Sequence, residues 1–386
     1  MNTEVPSLLT MMHELISEIS VSSTSAQWDT GNRKVIDKLA DWLTTLGFQC
    51  QIIPLTNNTS GNEKANLIAS LGTGPGGLVL SGHTDTVPFN EERWDINPLT
   101  LTEKDNKLYG LGATDMKGFF PIAIEAAKGF IDKPLQQPLI ILATADEESS
   151  MAGARQLAAE GAPKARFAVI GEPTDLRPIR MHKGMMMESI TVVGRAGHSS
   201  NPALGNNAME AMHLVIADLL VFRQQLQQRY QNPLFDVNVP TLNLGCIHGG
   251  DNPNRICGQC ELHFDLRVLP GMSNDDIHHE IQQRLQPLAK KLGINISLRA
   301  LVKNIQPFEQ EADSVLVKTA EQLTGHSAQS VAFATEGPFL QQLGMDTIVM
   351  GPGSIDQAHQ PNEFMSLNQV QPAIDILKQL IAKFCL

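Results

Sequence analysis

The sequence predicts an α/β fold, a mixed sheet flanked by helices, with a smaller α+β domain inserted into it. Three observations carry that expectation. Three apolar runs end abruptly in polar side chains: Leu78-Val79-Leu80 leads into His83, Pro138 to Ala145 into Asp146-Glu147-Glu148, and Arg166 to Gly171 into Glu172. Buried strands that finish in ligand-type residues are how an α/β sheet presents chemistry at its carboxyl edge. The texture then changes near Met181, and a β-α-β-β-α-like block of roughly 110 residues follows. After Leu292 the first texture returns, with an apolar run at Asp346 to Met350. The expected division is therefore 1–181 and 293–386 for the main domain and 182–292 for the insertion.

Length and composition agree with two domains. At 386 residues the chain exceeds the size at which a single core usually stops growing, and 42% of it is hydrophobic. Lys plus Arg number 29 against 41 Asp plus Glu, a net charge of -12. That balance argues against nucleic acid or an anionic membrane surface as a partner and suits metal ions and cationic small molecules. Glu4, His13, Glu14 and Glu18 interrupt the first twenty residues, which form neither a signal peptide nor a membrane span, so a soluble, cytoplasmic protein is expected. Five cysteines do not make a disulfide framework. Cys257 and Cys260 are spaced like half a zinc site, but no second pair follows, and two thiols at the start of a strand are the simpler reading.

In chain order, apolar residues at helical spacing predict helices over Pro6 to Ser20 and about Asn32 to Leu46, with strands at Phe48 to Ile53 and Ala65 to Leu71. Beyond the Leu78 strand and a turn-rich loop, Gly110 and Gly112 precede Asp115 at the start of a helix from about Phe119 to Phe130. A helix over Ala152 to Glu160 separates the next two strands. In the insertion, Met185 to Val193 alternates like a half-buried strand, Asn206 to Arg229 and about Asn274 to Leu292 read as helices, and Leu242 to Ile247 and Cys260 to Val268 as strands. Helices over Ala312 to Leu323 and about Asn368 to Phe384 close the main domain.

The edge residues form one set: His83, Asp115, Glu147, Glu148, Glu172 and His359. Four acids and two histidines suit Zn²⁺, Co²⁺ or Mn²⁺ better than thiolate-seeking ions or Ca²⁺. One zinc needs three protein ligands and an open position, so the set is too large for one ion and suitable for two. Two ions bridged by a carboxylate would lie about 3.5–4 Å apart, the spacing used to polarise a carbonyl and activate water. Asp85 is placed to orient His83 as an outer carboxylate. An acidic run such as Asp146-Glu147-Glu148 is more often a solvated turn, but this one directly follows a buried strand. His13, His213, His278, His279 and His326 lie in helical or polar surroundings and read as surface residues.

Ser81-Gly82-His83-Thr84-Asp85-Thr86-Val87-Pro88, Gly110 to Gly118, Ala143 to Glu148, Gly171-Glu172-Pro173-Thr174, Gly197-His198-Ser199-Ser200 and Ala358-His359-Gln360-Pro361 occur in one order across nearly the whole chain. In these passages it resembles the di-zinc aminoacylase and carboxypeptidase G-like metallopeptidase family. The resemblance implies a zinc-peptidase-like sheet and an insertion that acts as lid and dimerisation domain of a homodimer. It implies two Zn²⁺ or Co²⁺ ions bridged by Asp115, with His83 and Glu172 on one and Glu148 and His359 on the other. Glu147 would be the general acid/base, Asp85 would orient His83, and His198 would reach the partner subunit's site to bind the oxyanion. Asn254 and Arg255 match lid residues near the substrate, Arg255 being suited to hold a carboxylate in a fork. Glu336, Thr335 and Ser354 match pocket positions. The resemblance further implies a cis peptide between Asp115 and Met116 and hydrolysis of a small N-acyl amino acid. Related amidases, general aminoacylases and dipeptidases share the same metals. A metal-binding protein without catalysis is the rival of another class, against which Glu147 speaks. A nucleotide-binding enzyme lacks its phosphate-cradling loop here.

Overall fold

A computed structural model describes residues 4–56 and 61–386 of the chain. The polypeptide divides into two compact units, one of residues 1–180, 310–329 and 335–386, the other of 181–309 and 330–334. The sequence placed the return to the main domain at 293. It comes at 310, because Asn295–Ala300 is an edge strand of the insertion's sheet, paired with Gly184–Val193.

In the first unit the sheet runs in the order Gln49–Pro54, Ala65–Leu71, Leu139–Thr144, Leu78–His83, Phe167–Pro173 and Asp346–Gly351. The last four are mutually parallel, and the first two are antiparallel to their neighbours. Every residue of Leu78–His83, Leu139–Thr144 and Phe167–Pro173 is buried, which is why these segments read as unbroken apolar runs and do not alternate.

Helices cover the sheet through their apolar stripes. Leu8–Ser17, capped by Ser7 Oγ accepting from Thr10 N at 3.3 Å, buries Met11, Met12, Leu15 and Ile16. Arg33–Thr45 buries Val35, Ile36, Leu39 and Leu43, and Leu367–Cys385 buries Ile374, Leu377, Leu380 and Ile381. Phe119–Ala127 is buried on nearly all sides. Each such Leu, Ile or Phe contributes ~1.5–3 kcal/mol, so the core is rigid enough to fix the sheet edge that it supports.

The second unit is a four-stranded antiparallel sheet, ordered Thr241–Gly249, Gln259–Val268, Gly184–Val193 and Asn295–Ala300, with the helices Ala208–Arg229 and Asn274–Leu292 packed on it. Gln259–Val268 buries Cys260, Leu262, Phe264, Leu266 and Val268 at every second position, the pattern of a sheet with one dry face. Asn207 and Ser273 cap the two helices.

Candidate metal centre

Sheet register brings the site together. His83 is level with Thr144 on one side, and Ser81 is level with Ile170 on the other. Glu172 lies two residues beyond Ile170, and side chains repeat every second residue, so Glu172 and His83 emerge side by side on one face. The packing beneath is tight: a Cβ on Gly171 would lie 2.2 Å from the Phe119 ring, and one on Gly82 would lie 2.7 Å from Met116 Cε. The Phe119 ring leaves no room for a side chain at position 171, and at 82 Met116 would have to shift to admit one.

His83 Nδ1 donates to the backbone carbonyl of Asp85 at 2.9 Å, which leaves Nε2 to face the carboxylates. Asp115 lies between two histidines, its Oδ1 3.1 Å from His83 Nε2 and its Oδ2 3.3 Å from His359 Nε2. Glu172 Oε1 is 3.7 Å from His83 Nε2, and Glu148 meets His359 Nε2 at 3.0 Å. The Asp115–Met116 peptide is cis.

Glu147 and Glu148 are held by the backbone. Asp85 Oδ1 accepts from Glu147 N at 3.2 Å and Oδ2 from Glu148 N at 3.0 Å. The Asp85 carboxylate was expected to orient His83, but it lies 3.8 Å from Nδ1 while the Asp85 carbonyl makes that bond. Two unpaired amide donors at the turn are the stronger claim on a buried carboxylate.

Among the described residues, ligand-type atoms of His83, Glu147 and Glu172 lie within 4.8 Å of one another, as do those of His83, Asp115 and Glu148. Burial, joined by neighbouring negative charge, pushes Glu147 and Glu172 well above the usual carboxylate range and raises Glu148 as well. Burial works against ionised Asp115, but the two histidines outweigh it and bring Asp115 below that range. Contacts with Asp115 and Glu148 lift His359 to about 10. Four acids, two buried and two half-buried, face two imidazoles, a surplus of negative charge that calls for cations, and the mixed O/N donor set fits divalent transition metals.

The remaining expected residues fall in two places. Glu336 is buried in the first unit beside this cluster; burial raises it to about 7, and its Oε1 has no hydrogen-bond partner. Thr335 Oγ1 accepts from Gly337 N at 3.1 Å, and Ser354 forms an isolated bridge with Thr174. His198, Asn254 and Arg255 belong to the second unit, where His198 bridges Arg255 and all three are exposed. Arg255 pairs with Asp251 at 2.7 Å. His198 Nδ1 accepts from Ser200 N at 3.2 Å, which puts the proton of the neutral ring on Nε2.

Sequence reasoning missed Glu363. Its carboxylate accepts from the backbone N–H groups of Gly112 (2.9 Å), Thr114 (2.8 Å) and Asp115 (2.9 Å), tying the loop after His359 to the one that presents Asp115. A single acid in a polar loop has no periodicity, and only its place four residues after His359 hinted at it.

The sequence profile of peptidase family M20/M25/M40 matches residues 79–383. The chain belongs to that family. It is 48% identical over 385 residues to an acetylornithine deacetylase of Edwardsiella ictaluri, covering 100% of both chains. It is also 48% identical over 386 residues to an acetylornithine deacetylase of Proteus mirabilis, covering 100% of this chain and 99% of that one. Among solved structures, an M20 family metallo-carboxypeptidase from Sulfolobus solfataricus superposes with a TM-score of 0.75 at 18% identity, over 97% of this chain and 98% of that one. The M20 fold thus accounts for the mixed sheet and for the edge on which the cluster stands.

Proposed function

We propose that the protein hydrolyses N²-acetyl-L-ornithine to L-ornithine and acetate, with two divalent ions, Zn²⁺ or Co²⁺, held by the cluster. The reading is carried by Asp115, whose two oxygens face different histidines, the position of a bridging carboxylate. Full-length identity of 48% to acetylornithine deacetylases supports the substrate. With Asp115, His83 and Glu172 would hold one ion, and Glu148 and His359 would hold the other. When bound, such ions polarise the amide carbonyl and acidify water.

Glu147 takes the proton of the attacking water and returns it to the departing amine. Its buried setting, which holds the carboxyl well above its usual range, suits a group that must carry a proton near neutral pH. Asp85 fixes the backbone from which Glu147 hangs. His198 of the partner subunit donates its Nε2–H to the developing oxyanion, a role supported by its tautomer and by the family resemblance. This makes the working protein a homodimer paired through the insertion. Asn254 and Arg255 of the lid, with Glu336 and Ser354, meet the substrate, Arg255 taking the α-carboxylate in its fork.

A rate panel on metal-stripped protein resupplied with Zn²⁺ or Co²⁺ tests the reading. N²-acetyl-L-ornithine should be the best substrate when set against succinyl-diaminopimelate, other N-acyl amino acids and dipeptides. Preference for any of the latter reassigns the substrate. Absence of hydrolysis from every pair leaves a binding protein.

A further inference from the structure

We propose that Lys64 is a positioning residue for the proton-carrying Glu147, acting through Asp146; the inference rests on the role given to Glu147 above. In the antiparallel pairing of Ala65–Leu71 with Leu139–Thr144, Leu67 lies opposite Ala143. Continuing that register past both strand ends sets Lys64 opposite Asp146. Lys64 Nζ donates to Asp146 Oδ1 at 2.6 Å and to Asp29 Oδ1 at 2.7 Å, and all three side chains are buried or nearly so. Ser22 Oγ donates to the same Asp146 oxygen at 2.8 Å. Asp29 is itself fixed, accepting from Ser23 N at 3.0 Å through its carboxylate and from Asn62 Nδ2 at 2.9 Å through its carbonyl.

Asp146 is the pivot of the turn. Its φ is +60°, in the left-handed region that few side chains adopt, and its carbonyl accepts from Ser150 N and Met151 N. The next two residues are Glu147 and Glu148, whose N–H groups point to Asp85. The turn that carries both glutamates is therefore tethered twice, by Asp85 on the site side and by Lys64 on the far side. Removing the ammonium leaves two buried carboxylates without their cation, so Asp146 moves off and the turn loses one tether. A salt bridge that only stabilised the fold would change melting and leave turnover per folded chain alone.

The test compares Lys64→Met, Asp146→Ala, Asp146→Asn and Glu147→Gln as metal-loaded full-length proteins, reading metal content, KM and kcat on N²-acetyl-L-ornithine. Lys64→Met is expected to keep both ions and its KM while kcat falls ~10–100-fold, the usual effect of losing an outer support. Asp146→Ala should share that loss. Asp146→Asn should recover most of kcat, because asparagine tolerates positive φ and retains an oxygen for Lys64. Wild-type kcat in Lys64→Met, or a change confined to melting temperature or metal content, overturns the proposal. If Lys64→Met fails to fold, the two Asp146 variants decide, and equal kcat in both overturns it. Glu147→Gln separates the two claims: full activity there removes Glu147 from proton transfer, whereas an inactive Glu147→Gln beside a fully active Lys64→Met removes only the positioning role.

Discussion

The Asp85 carboxylate caps Glu148, with Oδ2 3.0 Å from Glu148 N, while the Asp85 carbonyl holds His83 Nδ1 at 2.9 Å. One residue thus orients His83 through its backbone and the acidic turn through its side chain. Asp85→Asn puts an amide N–H against one of the two turn donors and leaves the His83 contact in place. We therefore expect metal content close to wild type with kcat reduced ~10–100-fold. Metal analysis with steady-state kinetics checks this, and loss of the ions with normal turnover per loaded chain would mean that Asp85 acts on His83 after all.

Stability of the metal-free protein should fall as pH rises through the neutral range. Burial lifts Glu336 from an ordinary 4.5 to about 7, and likewise lifts Asp85 from 3.8 to about 7. The folded chain then holds protons that unfolding releases, so stability declines from about pH 4 to about pH 7 through these two carboxyls, and the raised His359 carries the decline on towards about pH 10. Added Zn²⁺, if it binds only the folded state, would offset this by ~2.7 kcal/mol at a hundred times its Kd. Because the ligands must be deprotonated, the rise in melting temperature should be larger at about pH 8 than at about pH 5.5. Calorimetry with and without Zn²⁺ tests both signs, and melting indifferent to the ion would count against the centre.

Much of this edge was readable in advance because the apolar runs of buried parallel strands give way to polar side chains at their carboxyl ends, as at His83 and Glu172. Less could be read where the backbone competes with side chains. His83 and Asp85 are two residues apart, and that spacing does not say whether carbonyl or carboxylate makes the bond. Lys64, Asp146 and Glu363 act through pairings with partners far along the chain, which no local pattern contains. The Asn295–Ala300 strand is a different case. Its sequence, Asn-Ile-Ser-Leu-Arg-Ala, alternates like a half-buried strand, and overlooking it placed the domain return at 293 when it falls at 310.

Glu363→Ala should loosen the loop that presents Asp115. Three backbone N–H groups lose their acceptor, each costing ~1–3 kcal/mol where water does not replace it. Lower melting temperature and weaker metal binding are expected together, read by calorimetry and metal titration. Unchanged values for both would show that the Glu363 contacts are dispensable.

Thiol reactivity should follow burial. Cys246 is exposed, whereas Cys257, Cys260 and Cys385 are buried, and burial pushes the Cys385 thiol up to about 12. In the native protein a disulfide reagent should modify Cys246 first and reach Cys385 only on unfolding. Mass mapping of modified peptides checks the order, and early labelling of Cys385 would contradict the packing of the last helix.

The most direct test of the whole account is Glu147→Gln, assayed on N²-acetyl-L-ornithine with bound metal counted in the same sample. Two ions per chain with turnover down ~10²-fold or more is the predicted result, the scale of a lost acid/base. Undiminished turnover with both ions in place would contradict it.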